Sequence, residues 1–404
     1  MSESQDAANI ESPEPATAAR EFLPPRRLRG IQKSVIRQVF DRARPGSINL
    51  GLGEPDLATP EVIRRAAVAI VQEEKNGYTA QAGLAQLRTL VAADYPQLRL
   101  NPDQVVITAG SQEAMYLALM TLVDEGDEVL LPNPGFVAYP TIVQMAGGVP
   151  VFYRLRAEHD FAFDAEEFRR CLTPRTKVVV CCSPSNPTGR SLSRTDLQAI
   201  AGALAGTGVY VISDEIYRDL YYTAERPESA SAFYDRTIVI SGLSKSMSMT
   251  GWRLGWICGD ESVIKPALVL HGYVTTCASA ISQKAAVAAW TPEAESARQS
   301  IRRTFSKRRD RLLALVSTEL GRRAVAPEGA FYTMLDVKDY GASMQVAEAL
   351  LDHGVITVPG SAFGSESEGF LRVSFCAEID AITEGVARMK AALSRLSRKV
   401  VISG

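Results

Sequence analysis

The stretch KVVVCCSPSNPTG, residues 177–189, joins an apolar run to a turn rich in proline, asparagine and glycine. An apolar run of this length predicts a strand buried on both faces, because a half-exposed strand would alternate apolar and polar residues. Five comparable runs are VVIT (105–108), DEVLLP (127–132), VYVISDE (209–215), TIVISGL (237–243) and LGWICG (254–259). Helical patterns alternate with these runs, as in SQEAMYLALMTLV after VVIT. The sequence therefore predicts βαβ units and an α/β fold with a mainly parallel sheet.

The segments on either side of this block have a different pattern. Residues 25–43 and 295–320 are arginine-rich and helix-like, whereas VITVPG, FLRVSF and IDAITEGVARMKAAL suggest strands and a terminal helix. We therefore predict a large domain over residues 50–294. A smaller α+β domain is predicted to be built by residues 25–49 and 295–404 together. Residues 1–24 begin with an acidic, proline-containing stretch that predicts a disordered lead and not a signal peptide.

The composition argues against several classes of partner. With 44 basic and 46 acidic residues the formal net charge is -2, which provides no broad electrostatic attraction to nucleic acid or to a membrane surface. No uninterrupted apolar stretch approaches the ~18 to 20 residues of a membrane-spanning helix. We therefore expect a cytoplasmic protein that binds small molecules, with neither a nucleic-acid nor a membrane partner.

Cysteine and histidine usage also limits the chemistry. The six cysteines are scattered without a CxxC pair, which is typical of a reducing compartment. The three histidines, His159, His271 and His353, are far apart in the sequence and are interpreted as ordinary surface or core residues. The sequence therefore predicts no metal site and no Ser/His/Asp triad.

Several polar residues lie where predicted strands end, which is the edge of an open α/β sheet at which ligands bind. In TAGSQ (108–112), Gly110 allows close backbone approach, and Ser111 begins a helix whose free amides would hold a phosphate. An ordinary helix start has the same residues. Asn186 is either part of a plain turn or a neutral hydrogen-bonding group. Asp214 is either a helix cap or a carboxylate that holds a proton on a heterocyclic nitrogen.

The stretch SGLSKSMSMTGWRLG, residues 241–255, places Lys245 between two apolar segments. A lysine that acts as a nucleophile must lose its proton, and partial burial with cationic neighbours lowers its pKa enough for this. Arg253 is a candidate for such a neighbour and has the donor geometry to bind a phosphate. Together, a phosphate cradle, a strand-end aspartate and a lysine are the anchor, pyridinium partner and Schiff-base amine that pyridoxal 5'-phosphate needs.

The motifs also follow one another in a specific order. They are GLGEPDLATP, NGYTAQAGLAQLR, TAGSQEA, PNPGFVAYP, SPSNPTG, SDEIY, SGLSKSMSMTGWRLG, PEGAFY, VPGSAFG and FLRVSF. In this order they resemble the fold-type I, pyridoxal-phosphate-dependent aminotransferases of class I/II, in the aspartate aminotransferase superfamily. The similarity runs from about residue 51 to residue 375. It implies that the sheet of the large domain has seven strands flanked by helices.

The resemblance implies a role for each matching residue of the catalytic centre. Lys245 matches the lysine of the internal aldimine, which also moves the proton between the substrate Cα and C4' of the cofactor. Asp214 matches the aspartate that keeps the pyridine nitrogen protonated. Asn186 and Tyr217 match the pair that hydrogen-bonds the phenolic oxygen of the cofactor and lowers the pKa of the aldimine.

Other positions match residues that bind the phosphate and the substrate. Phe136 matches an aromatic ring that stacks on the cofactor. Arg372 matches the arginine that binds the substrate α-carboxylate, and with Asn186 and Gly53, whose segment usually closes over the substrate, it forms the expected substrate site. The expected phosphate ligands are Gly110, Ser111, Gln112 and Arg253. Tyr78 matches a tyrosine that reaches the phosphate from the neighbouring subunit, which implies a homodimer with shared active sites.

The sequence departs from the family pattern in two places. A hydroxyl group often precedes the lysine by three residues, but here that position is Gly242, and either Ser241 or Ser244 is a candidate substitute. Related enzymes often have an asparagine-containing cross-subunit loop where this chain has HGYVTTCASAISQ (271–283). Cys277 lies in that neighbourhood, so the contact made there is left unassigned.

The resemblance implies an enzyme of amino-acid metabolism that moves an amino group from an L-amino acid to a 2-oxo acid by a ping-pong mechanism. Two alternatives keep the same fold: a pyridoxal-phosphate-dependent β-lyase and a cofactor-binding regulatory protein. Regulatory relatives usually carry a DNA-binding helix-turn-helix, for which the N-terminal extension is too short and too acidic. The sequence leaves the donor open among aspartate, alanine, aromatic and branched-chain amino acids.

Overall fold

A computed structural model describes residues 23–73 and 75–402 of the chain. The strands in this part of the chain are β1 (Ile48–Asn49), β2 (Val105–Thr108), β3 (Glu128–Asn133), β4 (Val149–Arg154), β5 (Thr176–Cys182), β6 (Tyr210–Asp214), β7 (Thr237–Gly242), β8 (Gly255–Cys258), β9 (Tyr332–Asp336), β10 (Val355–Ile356), β11 (Val358–Pro359) and β12 (Phe370–Ser374). The α-helices are α1 (Val35–Asp41), α2 (Glu61–Val71), α3 (Ala85–Ala93), α4 (Ser111–Leu122), α5 (Ala138–Met145), α6 (Ala165–Cys171), α7 (Arg194–Leu204), α8 (Glu261–Val274), α9 (Ala280–Ala286), α10 (Pro292–Leu315), α11 (Ser343–Asp352) and α12 (Ile379–Ile402).

The central sheet has seven strands in the order β2-β8-β7-β6-β5-β3-β4. Its neighbouring strands are parallel except at β8, which runs antiparallel to both β2 and β7. Six of the strands coincide with the apolar runs in the sequence, and most of their residues are buried. The predicted α/β fold with a mainly parallel sheet of seven strands is therefore confirmed.

Helices cover both faces of this sheet. On one face, Leu117 of α4 and Ile264 of α8 belong to a core that includes Ile212 of β6. On the other face, Ile200 of α7 packs in a core with Val179 of β5. Burial on both faces is the physical reason that these strands are apolar throughout, without polar alternation.

A second group of strands lies outside the central sheet. Strands β11, β12 and β9 form an antiparallel sheet, and β1 pairs in parallel with β10, with Ile48 opposite Val355. Their core includes Phe305 of α10, Leu350 of α11 and Val386 of α12. Both ends of the chain thus contribute to this unit, which agrees with the predicted α+β domain. The division at residues 50 and 294 stays a prediction.

Some expectations concern parts of the chain outside the described residues or features of the whole chain. Residues 1–22 of the predicted disordered lead lie outside the described residues. Between residues 23 and 402, with residue 74 excepted, no helix is both long and apolar enough to cross a membrane. The same part of the chain contains no group of three or more His, Cys, Asp or Glu side chains placed to hold a metal ion.

Candidate active site

A cavity of about 270 Å³ lies at the carboxyl edge of the central sheet, where β5, β6 and β7 end. Ten of the twelve predicted site residues line it: Gly53, Ser111, Gln112, Phe136, Asn186, Asp214, Tyr217, Lys245, Arg253 and Arg372. These residues span 320 positions of the sequence. Many of them come together because strand ends that are distant along the chain meet at one edge of a parallel sheet.

Lys245 follows β7 by three residues and is partly buried. Its Nζ donates a hydrogen bond to the carbonyl oxygen of Gly53 at 2.7 Å. Burial lowers the pKa of Lys245 from its usual value, and the positive charges of Arg372 and Arg253 act in the same direction. This lowered pKa makes the neutral amine, the form that attacks a carbonyl carbon, easier to reach than at an exposed lysine.

Asp214 is the last residue of β6 and is buried. Its Oδ2 accepts a hydrogen bond from the hydroxyl of Tyr139 at 2.7 Å, and its Oδ1 accepts one from the amide of Ile216 at 3.2 Å. Burial raises the pKa of Asp214 to about 6, although both hydrogen bonds oppose this shift. A turn follows this residue instead of an α-helix, so Asp214 is not a helix cap. A buried carboxylate of this kind fits a protonated ring nitrogen, whose positive charge would offset the cost of burial.

The start of α4 and Arg253 together form a cradle for an anion. Gly110 precedes the helix with φ of +88°, and a Cβ at this position would lie 2.6 Å from Nη2 of Arg253. The guanidinium of Arg253 donates to the carbonyl oxygens of Thr250 at 3.0 Å and Ala109 at 3.3 Å, which holds it beside the helix. Free amides at a helix N-terminus and an adjacent guanidinium suit a phosphate group.

Arg372 lies on β12 and reaches the cavity from the antiparallel sheet. Its Nη1 donates to Oδ1 of Asn186 at 2.8 Å, and its Nη2 donates to the carbonyl oxygen of Gly51 at 2.6 Å. The guanidinium lies between the rings of Tyr332 and Phe363, 4.3 and 4.7 Å from their centroids. Its Nε is buried and has no hydrogen-bond partner among the described residues. A substrate carboxylate would satisfy such a donor.

The residues around this cavity fit pyridoxal 5'-phosphate. A partly buried lysine, a desolvated carboxylate and an anion cradle are present together, as the covalent link, the ring nitrogen and the phosphate of that cofactor require. The glycine at the cradle has a steric reason, because a larger residue would displace Arg253.

Two tyrosines of the site have no role in the sequence-based interpretation. Tyr139 holds Asp214, and the Tyr332 hydroxyl lies 3.0 Å from that of Tyr217. Burial raises the pKa of Tyr332 to about 12, so its hydroxyl keeps its proton at neutral pH. Both residues are in quoted motifs, PNPGFVAYP and PEGAFY, which is the signal that points to them. Their partners lie 75 and 115 residues away in the sequence, and no local spacing indicates such pairs.

The remaining predicted residues lie outside the cavity lining. Gly110 is at the cradle behind Ser111. Tyr78 does not line the cavity of its own chain, and its side chain is 88% exposed. The predicted contact of Tyr78 with a phosphate of the neighbouring subunit stays a prediction. Of the two candidate hydroxyl groups, Ser244 lines the cavity, whereas Ser241 donates to the backbone oxygen of Glu215 at 3.1 Å.

The segment 271–283 begins inside the protein and then reaches the surface. His271 is fully buried, and its Nδ1 lies 2.9 Å from Oε1 of Glu113 on α4. Hydrogen bonds from Thr275 and from the backbone of Ala109 help to hold this carboxylate. Cys277 is partly exposed and is not among the residues that line the cavity. His271 is therefore a core residue, and the role of Cys277 stays unassigned.

Comparison with known proteins agrees with this geometry. The family model for aminotransferase class I and II matches residues 45–388. The chain belongs to this family. Its relatives include a probable N-acetyl-LL-diaminopimelate aminotransferase of Bacillus subtilis (strain 168), 40% identical over 353 residues, with 85% of this chain and 88% of that protein covered. An aspartate aminotransferase of the same strain is 35% identical over 357 residues, with 85% of this chain and 90% of that protein covered.

The solved structures give the same result for the fold of this aminotransferase. Aspartate aminotransferase from Thermus thermophilus with maleate has a TM-score of 0.88 and 32% sequence identity, and the match covers 92% of this chain and 100% of that chain. The family depends on pyridoxal phosphate, and the protein is a transferase of amino groups between an amino acid and a 2-oxo acid, EC 2.6.1.-. The relatives described here are named aminotransferases, so they give no support to the β-lyase or regulatory alternatives.

Proposed function

We propose that the cavity is the site of a ping-pong transamination and that Lys245, Asp214, Arg253 and Arg372 carry its chemistry. The observation that carries this proposal is the convergence of these four side chains on one cavity. Bound pyridoxal phosphate would supply the electron sink for bond breaking at the substrate Cα. The side chains of the protein supply the anchor points, the orientation and the proton transfer.

Lys245 and Asp214 have complementary electrostatic tasks. Because burial lowers the pKa of Lys245, its amine is available to bind the cofactor and afterwards to take a proton from the substrate Cα. The carboxylate of Asp214 lines the same cavity and would stabilise a proton on the heterocyclic nitrogen. Tyr139 fixes the orientation of this carboxylate through its hydrogen bond.

The other lining residues hold and orient the cofactor. Arg253 and the first amides of α4, at Ser111 and Gln112, would bind the phosphate. Asn186 and Tyr217 are proposed to hydrogen-bond the phenolic oxygen. Phe136 packs edge-on against Tyr139, with ring centroids 5.5 Å apart, and lines the cavity, where its ring is proposed to stack on the cofactor.

Arg372 is proposed to bind the substrate α-carboxylate. We expect Arg372→Lys to raise KM for the amino acid by about 10 to 100-fold and to change kcat much less. The reason is that an ammonium cannot reproduce a planar fork that also bonds Asn186 and Gly51. Steady-state kinetics with a matched donor and acceptor measure both constants. An unchanged KM would remove Arg372 from the carboxylate site.

We further propose that the enzyme is a cytoplasmic homodimer with shared active sites. Tyr78 and Tyr273 are large side chains that are 88% and 89% exposed, and Val269, one turn before Tyr273 on α8, is also exposed. A hydrogen bond from Gln81 to the backbone of Leu268 joins the two segments that carry these residues. An exposed apolar cluster of this kind favours a protein partner, and a second copy would bring Tyr78 to the site.

A half-reaction titration tests the proposed function. The visible spectrum of the purified protein is recorded before and after each amino acid of a panel is added without an oxo acid. We expect a yellow band that one class of donor bleaches and that a 2-oxo acid restores. Release of pyruvate and ammonia without an acceptor would instead identify β-elimination. A protein that binds the cofactor but responds to no amino acid would contradict transamination.

A further inference from the structure

We propose that Arg308 is a positioning residue that holds the active-site segment over Lys245 and Arg372. The active-site segment is defined as residues 51–56, GLGEPD. Arg308 lies on α10 and does not line the cavity, so it would act through this segment by way of Asp56. This inference depends on the proposed roles of Lys245 and Arg372.

The active-site segment contacts three functional side chains within four residues. The carbonyl oxygen of Gly51 accepts a hydrogen bond from Arg372 at 2.6 Å, and that of Gly53 accepts one from Lys245 at 2.7 Å. Oε1 of Glu54 accepts one from Thr250, which also lines the cavity, at 2.6 Å. The position of this segment therefore sets the hydrogen bonding of both cations.

The two ends of the segment are tied to different parts of the fold. Before it, Leu50 donates to the backbone of Ile356 at 3.0 Å and accepts from that of Ser374 at 2.7 Å. After it, the hydroxyl of Thr59 donates to the backbone of Ser248, next to the cavity, at 2.8 Å. The chain thus runs from the antiparallel sheet to the connection that follows β7, and Asp56 lies between these two ties.

Arg308 provides such a contact through a two-pronged ion pair with Asp56. Its Nη1 lies 2.6 Å from Oδ1, and its Nη2 lies 3.0 Å from Oδ2. The Arg308 side chain is only 6% exposed, so the pair is shielded from water on the arginine side. Paired N–H donors fix the orientation of a carboxylate as well as its distance.

The same guanidinium also holds the strand that carries Arg372. Nη1 of Arg308 donates to the carbonyl oxygen of Cys376 at 2.5 Å, two residues after β12 ends and four residues after Arg372. Arg308 therefore fixes the segment and the strand of Arg372 relative to each other. A purely stabilising ion pair would not need a second contact near the strand that carries Arg372, as Arg308 makes to Cys376.

The expected consequence is an effect on substrate binding more than on proton transfer. We expect Arg308→Lys to raise KM for the amino donor about 10-fold, because a lysine cannot bond both Asp56 oxygens and Cys376 at once. Asp56→Asn should have the same effect. Since both changes break one link, the double variant should match either single variant instead of multiplying the two effects.

The experiment combines these kinetics with hydrogen exchange on cofactor-free protein. We expect the amides of Gly51 and Leu52, which donate to Oδ1 of Asn49 at 3.1 and 2.9 Å, to exchange faster in both variants, with the helices that flank the central sheet unchanged. The matched control is Arg298→Lys on the same helix, where the arginine pairs with Asp219 and Glu295 and does not touch the segment. This control should change neither KM nor exchange in the segment.

Three results would overturn the proposal. These are an unchanged KM, multiplied effects in the double variant, or unchanged exchange in the segment. Hydrogen exchange requires neither cofactor nor turnover. It therefore tests whether Arg308 and Asp56 hold the active-site segment even if the proposed function is wrong. Failure of the proposed function itself would instead appear in the spectral titration of the wild-type protein.

Discussion

Replacing Lys245 with alanine is expected to lower turnover by at least about 10⁴-fold, because one side chain is proposed to supply both the covalent link and the proton transfer. Lys245 is the only lysine among the described residues that line the cavity. No other amine in that lining could therefore take over either task. The measurement is steady-state transamination with the donor found by spectral titration, together with the spectrum of the variant after pyridoxal phosphate is added.

The matched control is Lys265→Ala. Lys265 lies on α8, its side chain is 73% exposed, and it pairs with Glu261 four residues earlier. A surface pair of this type contributes little to stability, so the control should keep the wild-type rate. Transamination by the Lys245→Ala protein at the wild-type rate would show that the reaction does not use this lysine.

Replacing Asp214 with asparagine is expected to slow the amino-acid half-reaction by about 10² to 10³-fold. Asparagine has nearly the same shape and can still accept a hydrogen bond from Tyr139, but it lacks the negative charge that would hold a proton on the ring nitrogen. Single-turnover absorbance measurements isolate this step. Asp260→Asn, a change at an exposed carboxylate that caps α8, should leave the rate unchanged.

Asp214→Asn is expected to slow the half-reaction but to stabilise the cofactor-free protein. Asp214 has a folded-state pKa of about 6, above the usual value of 3.8, so folding favours its neutral form. The contribution of the neutral carboxyl group to the free energy of unfolding is complete below about pH 4 and is lost as the pH rises through 6. Cofactor-free Asp214→Asn should therefore melt above the wild-type protein at pH 8, and the difference should vanish near pH 4. If the variant shows a slow half-reaction but melts at the same temperature as the wild-type protein at pH 8, the buried position of the carboxylate is contradicted.

Apolar runs predict the central sheet well, since strands buried on both faces leave a direct trace in the sequence. Strand β4, Val149–Arg154, has no such trace because it lies at the sheet edge and most of its residues are at least partly exposed. The seventh strand was therefore expected only from the family resemblance. Strand β9 in the antiparallel sheet was not predicted from a sequence run either.

The site residues that come directly after strands could be predicted, because the carboxyl ends of parallel strands meet at one edge. Contacts between side chains could not. Tyr139 reaches Asp214 across 75 residues, and Arg308 reaches Asp56 across 252 residues. These pairs depend on how separate elements pack, and a single sequence contains no spacing that encodes them. Which of Ser241 and Ser244 lines the cavity likewise depends on the geometry of the turn after β7.

The reversed strand β8 has a consequence for how this active site can be altered. Gly255 at its start pairs with both Gly242 of β7 and Thr108 of β2. The connection between β7 and β8 therefore begins and ends at a pair of neighbouring residues, Gly242 and Gly255. It carries both Lys245 and Arg253. Lys245 is the proposed covalent anchor and Arg253 the proposed phosphate ligand, so both proposed roles depend on one connection. An insertion in this connection would displace both cations together. Engineering of the pocket is therefore better directed to the segments on the other side of the cavity.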